Sequence, residues 1–214
     1  MAVTGGPYLM LFKRPSSWPL TFQFAPCGLL IDDDLQLIEP QQKYVPALLA
    51  ACADPRTLRE SPELGYTSAD QIDAFLKLCP GGHQSPSETA CPTAPAYHFW
   101  MHSTRCELEI VGTIGLRVAS TPEIDLYYGN IGYHVYPAAR GNHYAERSCR
   151  LVLPLLARHG INPAWITCNP DNIASRRTCE RLGAELIDTV PVPPENHLFH
   201  RGDRQKCRYK IATT

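Results

Sequence analysis

The run PAARGNHYA, residues 137–145, gathers more groups able to do chemistry than any other stretch of the chain. It leaves an apolar segment, NIGYHVY, that ends at Tyr136, and it enters a helical pattern, so a strand hands over to a helix there. The first amides of a helix have no acceptor within it, and the helix dipole favours an anion in front of them. Arg140 adds a planar fork of donors, Gly141 permits close approach or an unusual dihedral, and Asn142 can donate from its amide. Together they suit a pyrophosphate; the alternative is an ordinary helix start with a solvated arginine.

Other polar residues are less specific. His98 and His102 share one face of a strand and Cys106 follows, but in extended chain the two histidines lie about 13 Å apart, too far for easy joint ligation. His197 and His200 make a second loose pair, and no metal site is expected. Asn169, at the end of AWITCN, and Asn172, which opens NIASRRTCERLG, are candidate turn or capping residues.

The elements that must position these groups follow from periodicity. DLQLIEP reads as a first strand, QKYVPALLAAC and DQIDAFLKLC as two helices, and residues 80–96 as a turn-forming stretch. YHFWMHST and IVGTIGLRVA alternate as an antiparallel pair, and NIGYHVY is another strand. A helix then carries Ala145, Cys149, Val152, Leu153 and Leu156 on one side and stops at Gly160, with a bend expected at Pro154. AWITCN is a strand, NIASRRTCERLG a helix ended by Gly183, and AELIDTV and QKCRYKI are the last strands. This order predicts an α/β (α+β) fold, with one mixed, mainly antiparallel sheet of about seven strands flanked by about four helices. Residues 130–184 should hold parallel neighbours joined by a right-handed crossover, and ligands gather beyond the carboxyl ends of such strands. Residues 1–30 read as an extension and 31–214 as a single domain.

The chain has 214 residues, with 20 Lys and Arg against 21 Asp and Glu, so it offers no general attraction for a polyanion and nucleic acid is not an expected partner. Nine cysteines without a C-x-x-C pair argue for a reducing compartment. No apolar run reaches the length that spans a bilayer, so a cytoplasmic location with no membrane partner is expected.

From Arg140 through Gly141, Asn142, His143, Tyr144 and Ala145 the chain resembles the coenzyme A pyrophosphate loop of the GCN5-related N-acetyltransferase (GNAT) superfamily. That pattern is Gln or Arg, two residues, Gly, one residue, then Gly or Ala; Arg140 and Ala145 match, and His143 stands where the first glycine usually lies. EIVGTIGLR and NIGYHVYP resemble the superfamily's third and fourth strands, and NPDNIASRRTCERLGAELID resembles its later signature through Asn172, Ser175, Leu182 and Gly183. The resemblance runs from about Asp34 to Ile211.

It implies acetyl-CoA as co-substrate, lying in a V-shaped opening between the fourth and fifth strands. Its arm would follow His134, Val135 and Tyr136, with Asn169, Asn172 and Ser175 nearby. Cys179 stands where the superfamily's usual general acid, a tyrosine, is found, either as proton donor to the departing thiolate or as a small core residue. His134, Asp125 and Glu123 are candidates to relieve the acceptor amine of a proton, and Asn130 to order a water. The implied activity is direct acetyl transfer to a primary amine of a small molecule or peptide; the alternative is a non-catalytic acyl-CoA-binding module. A homodimer is possible on general grounds.

Overall fold

The computed structural model describes residues 22–60, 65–85 and 94–214. It opens on a hairpin of β1 (Leu30–Asp32) and β2 (Leu35–Ile38), turned through Asp33 at φ 54°. The helices α1 (Val45–Cys52), α2 (Pro55–Glu60) and α3 (Ala69–Leu78) follow; Pro46 sits in the first turn of α1, where a missing amide costs little. A two-residue strand β3 (His83–Gln84) precedes β4 (Ala96–Ser103) and β5 (Ile110–Arg117). A π-turn over Ile124–Tyr128 leads into β6 (Ile131–Val135), and a short 3-10 turn over Pro137–Ala139 into α4 (Tyr144–Arg158). The remaining elements are β7 (Ala164–Cys168), α5 (Ile173–Leu182), β8 (Glu185–Pro191), α6 (His197–His200) and β9 (Gln205–Ile211).

The seven strands and four long helices expected from periodicity are all present. The additions are short: β1 and β3, of three and two residues, and α2 and α6. Such pieces are too brief to show a period. β1 begins at Leu30, and Phe22, Phe24, Ala25 and Cys27 before it pack on the core, whereas residues 1–21 and, within the proline-rich stretch, residues 86–93 lie outside the described residues. α4 runs unbroken past Pro154, with Leu155 and Leu156 beyond the proline buried.

The expected single sheet is two antiparallel ladders. One runs β1-β2-β4-β5-β6 with β3 beside β4; the other runs β7-β9-β8. α4 and α5 cover one face through Cys149, Val152, Leu156, Cys179 and Leu182, packed on Phe99, Ile114 and Ile131. On the other face α1 and α3 bury Val45, Leu48 and Ile72 against Trp100, Ile110 and Tyr136. No helix among the described residues is long and apolar enough to cross a membrane.

Candidate active site

β6 and β7 run side by side but share backbone bonds only where β6 begins. The Asn130 amide donates to the Trp165 carbonyl at 2.7 Å, and the Trp165 amide donates to Asn130 Oδ1 at 2.9 Å. Asn130 Nδ2 donates to the carbonyls of Arg117 and Ala119, at 3.0 and 2.9 Å, so this buried side chain knots β5, β6 and β7 together. Gly129, at φ 68°, permits the close approach: a Cβ there would lie 2.9 Å from the Trp165 carbonyl oxygen and 3.0 Å from the Thr167 nitrogen. Beyond this knot the strands part and enclose a cavity of about 720 Å³ lined by Tyr133, Ile166, Cys168, Asn169 and Ser175.

The β5–β6 register fixes which backbone groups face that opening. Arg117 donates to the Asn130 carbonyl and Tyr136 to that of Val111, and antiparallel pairs alternate, so the Asn130 carbonyl, the backbone groups of residues 132 and 134 and the Tyr136 amide face β5. The amides and carbonyls of Ile131, Tyr133 and Val135 therefore point toward β7. Of the three residues along which the co-substrate arm was expected, Val135 alone directs its backbone toward the opening; His134 pairs within the ladder, and Tyr136 donates to Val111 there and accepts from the Ala139 amide in the following turn.

At the carboxyl end of β6 a cavity of about 530 Å³ spans the loop from Ala139 to Glu146 and the near side of α5, including Arg177 and Arg181. The first helical amide of α4 with an acceptor is that of Arg147, which bonds the His143 carbonyl at 3.0 Å; the amides of Tyr144, Ala145 and Glu146 precede it. Gly141 takes φ 91°, and His143 is left-handed at φ 57°, which explains why glycine suits that position. The His143 side chain is exposed, with its Nδ1 3.5 Å from Glu146 Oε2. Arg140 Nε donates to the Val135 carbonyl at 3.2 Å, Asn142 closes the preceding turn by donating to the Ala139 carbonyl at 3.1 Å, and the Tyr144 phenol turns away to Asp34 at 3.0 Å. Arg140, Arg177 and Arg181 make this end of the cleft strongly cationic, with Glu146 among them.

Tyr133 stands at the junction. It lines both cavities described so far and a third, of about 410 Å³, on the α3 side of β4 and β5. Its hydroxyl lies 2.9 Å from Ser175 Oγ, and the Ser175 amide donates to Asn172 Oδ1 at 3.0 Å, so Asn172 caps α5 and Ser175 positions the phenol. Burial pushes the phenol far above its ordinary value, keeping it protonated. Sequence reasoning missed this side chain because strand alternation does not distinguish an inner wall of a cleft from core.

The structure corrects several expectations. Cys179 is fully buried among the core residues, lines none of the three cavities, and burial pushes its thiol up to about 12. A thiol is several ångströms shorter than a phenol and ends inside the core. Asn130 is buried, lines none of the three cavities, and gives both its amide hydrogens and one acceptor bond to backbone. Asp125 lies outside the three cavities, accepting from Ser120 at 3.0 Å, and burial raises its carboxyl. His134 lines the cleft with its ring against Tyr136, centroids 5.3 Å apart. Asn169 is held at the carboxyl end of β7 by Lys206 Nζ at 2.7 Å and by Asp203 at 2.6 Å.

No curated protein matches the chain in sequence. Among solved structures it resembles a GCN5-related N-acetyltransferase from Brucella melitensis, at 15% identity over 89% of this chain and 81% of that one, with a TM-score of 0.64. A microcin self-immunity acetyltransferase solved with acetyl-CoA and AMP matches at 16% identity, over 88% and 98% of the two chains, with a TM-score of 0.61. A ribosomal-protein alpha-N-acetyltransferase solved with coenzyme A matches at 18% identity, over 86% and 98%, with a TM-score of 0.60. These likenesses are of fold. The sequence itself matches the family model described as an acetyltransferase (GNAT) domain over residues 34–185, most of the chain and all of the cleft's two walls up to β8. The parted strands and the cationic loop before α4 thus lie on a chain that belongs to the GNAT acetyltransferase family.

Proposed function

We propose that the protein transfers the acetyl group of acetyl-CoA directly to a primary amine, and that residues 31–214 act as one acetyltransferase domain. The observation that carries this reading is the parted pair β6 and β7, whose outward amides at Tyr133 and Val135 open beside the uncapped start of α4 and its three guanidiniums. The backbone from Gly141 to Ala145 and the side chains of Arg140, Arg177 and Arg181 hold the phosphates of the co-substrate. Ser175 and the outward edge of β6 orient the arm, and an amide of Tyr133 or Val135 donates to the thioester oxygen as charge develops on it.

The acceptor enters as an ammonium and releases one proton to water, and its nitrogen then forms the C–N bond to the acetyl carbon. As the tetrahedral intermediate collapses, the C–S bond breaks and the sulfur keeps the electron pair. The nitrogen's second proton balances the thiol that CoA becomes. Tyr133, held by Ser175 and kept protonated by burial, lines the cleft and serves as hydrogen-bond donor to the departing sulfur. It takes the part that the sequence had offered to Cys179.

The test is amine-dependent thiol release from acetyl-CoA. Tyr133→Phe should lower kcat ten- to a hundredfold while leaving acetyl-CoA affinity within about threefold, because only the donor is lost. Unchanged kcat would remove Tyr133 from the chemistry. A second reading, a module that binds acyl-CoA without turnover, is favoured by the burial of Cys179; saturable binding with no thiol release across a broad amine panel would support it instead.

A further inference from the structure

His98 lies on β4 and lines the third cavity, where Phe75 of α3 meets its ring edge-on with centroids 5.5 Å apart. Its Nε2 stands 2.8 Å from Gln84 Oε1. An amide oxygen only accepts, so Nε2 carries a proton, and in the neutral ring the other nitrogen, Nδ1, is an acceptor. The sequence offered this histidine only as half of a metal pair with His102, and the acetyltransferase chemistry described so far makes no use of it.

Two glycines keep Nδ1 uncovered. Gly115 on β5 is the register partner of both His98 on β4 and Gly132 on β6, so two adjacent strands present no side chain there. A Cβ on Gly115 would stand 3.4 Å from His98 Nδ1, so any other residue would lay its side chain against that nitrogen. At the far end of this trough Gly132 lines both the third cavity and the opening between β6 and β7, as does Tyr133. Neighbouring strands lie about 5 Å apart, so a group over Gly132 is about 5 Å from one over Gly115. That is too long for a direct hydrogen bond and is the span of one bridging water.

We propose that the third cavity receives the acceptor with its amine over Gly132, and that His98 Nδ1 holds the water that takes the acceptor's proton. The inference rests on the acetyltransferase reading above and gives that water its place. The water donates one hydrogen to Nδ1 and turns a lone pair to the ammonium. One N–H bond of the ammonium breaks, and its electron pair stays on nitrogen to attack the acetyl carbon. The proton passes to the water, which gives its own to Nδ1. The imidazolium then releases a proton to solvent as the product leaves, so the ring ends neutral. Imidazole is far more basic than water, so the proton rests on Nδ1 more readily than on hydronium. Burial and then Arg117 lower the pKa of His98 to about 4, which keeps the ring neutral and accepting at pH 7. Gln84 from β3 and Phe75 from α3 bring no charge to the ring; Arg117, Arg201, Tyr66 and Tyr133 share its cavity. Burial raises both phenols, Tyr66 to about 12, so His98 is the one of these groups that changes charge in acid.

The experiment measures thiol release from acetyl-CoA across a panel of primary amines that includes phenethylamine, tryptamine, L-phenylalaninamide and spermidine, and carries the fastest acceptor through three variants. His98→Ala should lower kcat about a hundredfold with KM within about threefold. Gly115→Ala should lower kcat about tenfold or more by covering Nδ1. Its melting temperature and acetyl-CoA affinity should not change, since the other neighbours of the added methyl stand at 3.6 and 3.7 Å, ordinary contacts. Gln84→Glu places a carboxylate against Nε2 and favours the imidazolium, so the acid limb of kcat should move from about pH 4 to about pH 5 or above. A merely structural role for His98 would not move that limb. Independently of turnover, ¹⁵N-histidine spectra of the parent protein should show His98 protonated on Nε2. A ring protonated on Nδ1 instead, an unchanged kcat in Gly115→Ala, or an acid limb that Gln84→Glu leaves in place overturns the assignment and leaves the acetyltransferase standing. Thiol release with no amine of the panel, or absence of acetyl-CoA binding, overturns both.

Discussion

His143 holds a backbone conformation that side chains disfavour, at the one position of the loop where glycine is usual in the family it resembles. A left-handed residue costs about 1 kcal/mol, which the approach of the ring to Glu146 does not remove. His143→Gly should therefore tighten acetyl-CoA binding about two- to fivefold without loss of thermal stability, measured by calorimetry and a melting curve; weaker binding would mean that the imidazole itself serves the anion. Cys179→Ala should keep kcat within about twofold and cost about 1 kcal/mol of stability, the price of a small core void, as denaturant unfolding would show. At this scale the sequence was readable where a residue type has one use. Arg140 and Gly141 lie on the loop that was expected. Tyr133, Arg177 and Arg181 were not found, although Arg177 and Arg181 are four apart on the helix that Asn172 caps, a spacing that puts both on one face.

The opening of the site is an absence of pairing between two strands, and period-two alternation carries no record of it. What makes it is local and specific. Asn130 satisfies two carbonyls and one amide at the start of β6, and Gly129 lets the chain press against β7, so the strands are tied at one end and free to diverge toward the other. Asn130→Ala removes three hydrogen bonds to buried backbone and should cost about 3 kcal/mol, measured by urea unfolding. If the knot also sets the angle of the opening, acetyl-CoA affinity falls in the variant under conditions where it remains folded. A loss below 1 kcal/mol would mean that water replaces the side chain without penalty. The long elements were legible because their amphipathic faces are long enough to repeat; β1, β3, α2 and α6 were not.

Over the whole molecule the amino-terminal hairpin, the sheet and the helix that faces the phosphates meet at one buried carboxylate. Asp34 accepts from Ser103 at 2.7 Å, from Tyr144 at 3.0 Å and from Arg147 at 2.9 Å. Burial alone would raise its pKa, but the hydrogen bonds of Ser103, Arg147 and Tyr144 outweigh it and hold the carboxyl at about 2, below its ordinary 3.8. The folded state therefore favours the ionised form. Its contribution to stability is complete above about pH 3.8 and is lost as the pH falls through about 2. Asp34→Asn should lower the unfolding free energy at pH 6 by about 3 kcal/mol and flatten its fall between pH 4 and 2; an unchanged acid slope would assign that fall to other carboxylates.

The account stands on acetyl-CoA lying between β6 and β7 with its phosphates against the start of α4. Titration of acetyl-CoA into ¹⁵N-labelled protein, followed by amide chemical shifts, reads that placement directly. Saturable changes largest at Tyr133, Val135 and residues 141–146 are the predicted result. Changes centred elsewhere, or none at millimolar acetyl-CoA, would contradict it.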